Sequence, residues 1–177
     1  MTYPRITKAR AKGERVAALL LDRIGSIALP IPIKEIAISE GCAIRSAALE
    51  DDLSGMAFIK EGQKHIVYNA LHHINRQRFT IAHELGHHLM DATVLRTSVH
   101  VDKGTLRRDN FSSDGIDEME IAANAFAASV LMPENLVREM CPRSLDLEDD
   151  RAVYRLAKLF AVSQAAFTNR ILNLSLG

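Results

Sequence analysis

Cysteine is scarce in this chain. Cys42 and Cys141 are the only two, and their separation matches neither a metal-ligand nor a redox motif. A disulfide scaffold and a thiolate zinc fold are thereby excluded, and both residues read as reduced thiols of a cytosolic protein. Net charge is missing too, because 22 Lys and Arg balance 22 Asp and Glu. That balance provides no global attraction to nucleic acid or to an anionic membrane, although a local patch remains compatible with it. No stretch approaches the roughly 18 apolar residues of a membrane span. Arg5, Lys8, Arg10 and Lys12 followed by the apolar run Val16 to Leu21 superficially resemble an export signal. However, Glu14 and Asp22 bracket the run, it is short, and no small-residue cleavage site follows it, so a cytoplasmic protein is expected.

The composition is that of an ordinary soluble globular protein, with 47% apolar and 25% charged residues in 177. Such a length suffices to bury one core without covalent staples, and a single domain over 1–177 is the expectation.

Against this plain background one stretch stands out: Phe79-Thr80-Ile81-Ala82-His83-Glu84-Leu85-Gly86-His87-His88-Leu89-Met90. It contains His-Glu-x-x-His in a segment with helical periodicity. At about 100° per residue, His83 and His87 project from one face, one turn apart, and can share a metal ion. Glu84 lies about 100° round the helix, placed to act as general base rather than ligand. With His83 at 0°, Leu85, Leu89, Ala82, Gly86, Phe79 and Met90 fall between roughly 200° and 340°, which makes one apolar face beside the polar stripe. A solvated helix face with two histidines is the bland reading of the same pattern.

Around this stretch the chain divides readily. Val16, Ala17, Leu20, Leu21 and Ile24 predict a helix from about Ile6 to Ile24 that stops at Gly25. Pro30-Ile31-Pro32 is extended, and Ile33 to Glu40 reads as a short helix ended by Gly41. Strands are predicted at Ala43 to Ala48, Gly55 to Lys60 and His65 to Asn69, the last two joined by a Glu61-Gly62 hairpin turn. Asn69 is placed to cap a helix from about Ala70 to Met90. Asp91 to Gly115 is irregular and locally basic (Lys103, Arg107, Arg108), with a possible strand at Thr97 to Val101, and has the length of a lid or substrate loop. An α+β architecture follows: a mostly helical domain with a small antiparallel sheet beside the His-Glu-x-x-His helix and a C-terminal helix pair.

A catalytic zinc usually takes a third protein ligand. The best source is the helix containing Asp117-Glu118-Met119-Glu120-Ile121-Ala122-Ala123-Asn124. Acidic residues in a first turn are ordinary partners of the helix dipole. Phase separates them: Glu120 lies inside the apolar arc of Met119, Phe126, Val130, Ala123, Ala127 and Leu131, Asp117 on its rim and Glu118 opposite. A carboxylate on a packed face needs a partner, which points to Glu120. Asn124, one turn on, is a candidate to orient a ligand or simply a buried amide. An oxyanion donor is also expected, and His72, His73, His88, His100 and Tyr68 qualify by residue type only. His72 lies about 16 Å along the predicted helix from His83, too far to share its ion, and His88 points elsewhere and reads as a surface histidine.

His-Glu-Leu-Gly-His preceded by Arg-Phe-Thr-Ile-Ala, with Glu-Ile-Ala-Ala-Asn-Ala-Phe-Ala-Ala-Ser-Val-Leu-Met-Pro downstream, resembles the ImmA/IrrE family of metallopeptidases. The Glu-x-x-Ala-Asn element is also similar to the glutamate-donating helix of gluzincins. Pro30 to Gly41 resembles the family's short helix before its sheet, and Leu156-Ala157-x-x-Phe160-x-Val162-Ser163-x-x-Ala166 its C-terminal helix pair. The resemblance implies a zinc-dependent endopeptidase that cleaves a transcriptional repressor, often encoded beside it, and so induces stress-response or mobile-element genes. It implies His83, His87 and Glu120 as zinc ligands and Glu84 as base, with Mn2+ or Fe2+ compatible with the same donors. Asn124, Asp117 and Tyr68 remain candidates to orient a ligand or meet substrate. The implied organisation is an N-terminal helix (1–29), a catalytic core (30–133) and C-terminal helices (134–177).

Two rival readings remain. The helix pair near Val162-Ser163 resembles a helix-turn-helix, with Arg151, Arg155, Lys158 and Arg170 as phosphate contacts, but the modest charge makes direct nucleic-acid binding the weaker expectation. The other keeps the fold without turnover, as an anti-repressor or toxin-antitoxin module that binds a repressor.

Overall fold

The computed structural model describes residues 3–25, 28–91, 95–96, 98–102, 114–141 and 145–174, with the side chains of residues 3 and 114–117 outside that description. Helix α1, Tyr3–Ile24, buries Ala9, Ala17 and Leu20 along one stripe and ends at Gly25, whose φ of 82° admits the turn. Its partner is α4, Asp114–Leu131, which brings the backbone of Ala122 and Phe126 up against Gly13. Small residues permit the close approach: a Cβ at Gly13 would fall on the Ala122 carbonyl. Gly13→Ala should therefore cost about 1–3 kcal/mol in overpacking, only partly offset by about 1 kcal/mol of helix propensity, and urea denaturation should show a net loss.

Helix α2, Ile33–Ser39, leads through Gly41 at φ 83° into β1, Cys42–Ala47. Strands β2, Gly55–Lys60, and β3, Gln63–Asn69, form the predicted hairpin, with both Glu61 and Gly62 at positive φ as a two-residue turn of this hand requires. With β4, His100–Asp102, they make a sheet of order β1-β3-β2-β4. The sheet is mixed rather than antiparallel as expected: β1 runs parallel to β3, while β2 is antiparallel to both its neighbours. Hairpin pairing puts β3 beside β2, and β1 then takes the other side of β3 after a connection through residues 48–54.

Asn69 secures that connection. Its buried amide donates to the carbonyls of Glu50 at 3.1 Å and Leu53 at 2.9 Å, and its oxygen accepts from the Leu71 N–H at 3.0 Å. So committed, it is not the cap of the next helix. Helix α3 starts later than expected, at Ile74, where His73 Nδ1 accepts from the Asn75 N–H, and runs to Met90. Its apolar face is buried as the periodicity required, but so is the opposite one, since every residue from Thr80 to His88 is buried. The sheet covers that second face, with Thr80 pressed against Gly55 of β2.

The C-terminal part comprises α5, Glu134–Met140, α6, Asp150–Phe160, and α7, Gln164–Asn173. Ala161 at φ 51° ends α6, and Ser163 caps α7 by accepting from the Ala166 N–H, as expected. Val153, Ala157, Phe160, Phe167 and Ile171 of the pair join Ala17, Leu85, Phe126 and Val130 in one core. Arg170, expected to meet phosphates, is instead 5% exposed and donates from Nε to the Met132 carbonyl at 3.1 Å, which secures the end of α4. No described helix is long and apolar enough to cross a membrane.

Burial also decides the chemistry of Cys42, whose thiol pKa is pushed up to about 11. At pH 8 only about one molecule in a thousand carries the reactive thiolate. Mass spectrometry after iodoacetamide treatment should find Cys42 unmodified in the folded protein and fully modified after denaturation.

Candidate metal centre

Helix α3 presents His83 and His87 one turn apart, and α4 presents Glu120 to the same point. The His83 Nε2 and His87 Nε2 atoms are 3.1 Å apart. Glu120 Oε2 lies 3.4 Å from His83 Nε2, and Oε1 lies 3.3 Å from His87 Nε2. Donors bound to one tetrahedral zinc at 2.0–2.1 Å are about 3.3 Å from one another, so this trio has ligand spacing. Gly86 makes the convergence possible: α4 approaches so closely that a Cβ there would lie 2.9 Å from Phe126 Cδ1.

Behind each imidazole lies an oxygen. His83 Nδ1 is 3.1 Å from Asn124 Oδ1, which leaves Nε2 of the neutral ring with its lone pair aimed at the cluster. Asn124→Ala should weaken divalent-metal binding about 10- to 100-fold in a chelator competition, with little change in the metal-free fold. Behind His87, the nearly buried Asp91 places Oδ2 3.6 Å from Nδ1, and its Oδ1 is 3.4 Å from Lys12 Nζ of α1. At 3.6 Å the pair is an electrostatic contact rather than a formed hydrogen bond, and both atoms lack a hydrogen-bond partner among the described residues. Burial alone would lower the His87 pKa, but Asp91 and Glu120 outweigh it and the net shift is upward.

The fourth side comes from β4. His100 Nε2 is 2.7 Å from Glu120 Oε1, and its Nδ1 is 3.1 Å from Glu84 Oε2. Glu84 is fully buried, and its Oε1 has no partner among the described residues. An orphaned, fully buried carboxylate oxygen beside a ligand-spaced trio is what a centre with a basic group at its edge would display. Burial lowers the His100 pKa, but hydrogen bonds to Glu120 and Glu84 and the charges of both carboxylates raise it to about 10. Burial likewise raises the Glu120 pKa, yet hydrogen bonds with His100, His83 and His87 hold it far below the carboxylate range. Asp102, on the same face of β4 as His100, brings a carboxylate oxygen within 4.8 Å of ligand atoms of His83 and Glu84.

A profile of the IrrE N-terminal-like domain, a peptidase family, matches residues 39–172. The chain belongs to that family. Two relatives of this IrrE-like chain carry the name radiation response metalloprotease IrrE. The protein from Deinococcus radiodurans is 33% identical over 103 residues, which are 57% of this chain and 28% of the relative. That from Deinococcus deserti is 27% identical over 128 residues, 63% of this chain and 42% of the relative. The IrrE-like chain thus spans less than half the length of either.

Within the IrrE-like domain the remaining sequence candidates have these surroundings. Tyr68 is half-buried on β3 against the core and makes no hydrogen bond to the cluster. The side chain of Asp117 and most of the 91–115 loop lie outside the described residues. His72 Nε2 contacts the Asp51 carbonyl at 3.1 Å, and His73 caps α3. His88 is not at the surface: it is 2% exposed, with Nε2 2.8 Å from the His65 carbonyl. His100 was indicated by residue type alone. Asp91 and Asp102 had no such pointer, and the only trace of Asp102 is the inward, outward, inward alternation of His100-Val101-Asp102.

Proposed function

We propose that the chain is a zinc-dependent endopeptidase that hydrolyses a peptide bond in a regulatory protein, with His83, His87 and Glu120 as ligands and Glu84 as general base. The observation that carries this reading is the 3.1–3.4 Å spacing of three donors from two helices. When bound, zinc supplies Lewis acidity to a carbonyl and lowers the pKa of water. Glu84 takes the proton of the attacking water and hands it to the leaving nitrogen. Asn124 holds the His83 imidazole in the tautomer that directs Nε2 inward, and the charge of Asp91 lies behind His87. Strand β4 is the outermost of the described sheet, paired only to β2, so an extended peptide can add to its outer edge and pass over the cluster.

A helix-turn-helix repressor encoded beside this protein is the substrate implied by the family resemblance. Zinc-loaded wild type and Glu84→Gln are each incubated with that repressor. Fragments from wild type alone support the peptidase; equal relief of repression by both without fragments supports the non-proteolytic binding module. Burial of Arg170 removes a phosphate contact from the DNA-binding alternative.

A further inference from the structure

We propose that His100 is a fourth protein ligand of the same centre, so that without peptide the metal is held by three imidazoles and one carboxylate and Glu84 is covered. This rests on the metal centre described above and deepens it.

Three imidazoles share one orientation, with the outer hydrogen bond formed at His83 and His100. His83 turns Nε2 to the cluster and Nδ1 to Asn124 Oδ1, 3.1 Å away. His87 turns Nε2 to the cluster and Nδ1 towards Asp91 Oδ2. His100 turns Nε2 to Glu120 Oε1 and Nδ1 to Glu84 Oε2, at 2.7 and 3.1 Å, and as a ligand it would release the Nε2 proton to solvent while keeping the Nδ1 proton on Glu84. Ligating histidines characteristically give their outer N–H to an oxygen acceptor, and His100 has the same two-sided arrangement as the others. One donor atom from each of His83, His87, His100 and Glu120 lies within 4.8 Å of every other. The His100 ring also lies 3.8 Å, centroid to centroid, from His87 at 30°.

Saturation by protein donors is the mark of a closed zinc site, whereas a catalytic one keeps a position open. His100 supplies the closure reversibly, because it sits on the outermost strand of the described sheet rather than on a packed helix. Glu84 is 0% exposed and one of its oxygens is engaged by this imidazole. A scissile carbonyl and its water therefore reach Glu84 only after the ring has left, and peptide addition along β4 acts on the strand that carries it.

The test uses the full chain loaded with zinc, as wild type, His100→Ala, His100→Gln and His83→Ala. X-ray absorption should count three imidazoles in wild type and two in each His100 variant, and chelator competition should show at least a tenfold loss of affinity in both. Two imidazoles in wild type, or unchanged affinity in the His100 variants, overturns the inference. If His83→Ala binds zinc as tightly as wild type, the centre itself is wrongly placed. If only His83→Ala loses affinity, the centre stands and the fourth ligand falls.

Discussion

Glu84→Gln should reduce peptide-bond hydrolysis by a factor of about 10²–10⁴ while zinc content and folding stay unchanged. Amide for carboxylate conserves shape and keeps an oxygen that can accept from His100 Nδ1, so the hydrogen bond now made by Oε2 survives. What disappears is basicity, since an amide does not take a proton from water at neutral pH. Glu84 contributes no donor to the His83, His87 and Glu120 trio, so metal affinity gives an independent control. Initial rates on a fluorogenic peptide, with metal content measured on the same samples, separate the two properties. A variant that hydrolyses like wild type would remove Glu84 from the chemistry, and one that loses its metal would make it a ligand instead.

Much of this arrangement was legible in the sequence because it is local. The spacing of His83 and His87 is a property of one helix, and the phase of Glu120 within α4 is another. Each can be read without knowing what lies opposite. The burial of both faces of α3 could not be read that way, since it depends on the sheet that crosses Thr80 to His88. The parallel placement of β1 is likewise a matter of strand order, which alternation along a strand does not encode. Asn69 looked like a helix cap because its residue type suits one, but three loop carbonyls and two N–H groups offered its amide more partners. His100 reaches the centre only because β4 pairs with β2, opposite Ala57. Such a long-range contact leaves no periodic trace in three residues. Arg170 failed as a phosphate contact for a related reason: its helix presents the guanidinium to the end of α4 rather than to solvent.

Glu120→Ala should remove most of the stabilisation by zinc. At a free metal concentration a thousandfold above its dissociation constant, binding to the folded state alone contributes about 4 kcal/mol. For a chain of this size that corresponds to a rise in Tm of about 8–16 °C. Wild type should show the rise when zinc is added to stripped protein and lose it on chelation. Glu120 is the only carboxylate within 3.4 Å of both His83 Nε2 and His87 Nε2 among the described residues, so the variant retains no anionic donor at that position. Neutral imidazoles alone bind the dication more weakly, and the thermal shift should shrink to a small fraction of the wild-type value. The metal-free variant must be scanned in parallel, because Glu120 also pairs with His100 at 2.7 Å and its loss lowers the baseline Tm by itself. The decisive quantity is the difference between zinc-loaded and stripped protein within each variant. A shift as large in Glu120→Ala as in wild type would mean that the ion is held elsewhere, and the convergence of α3 and α4 on one point would then need another explanation.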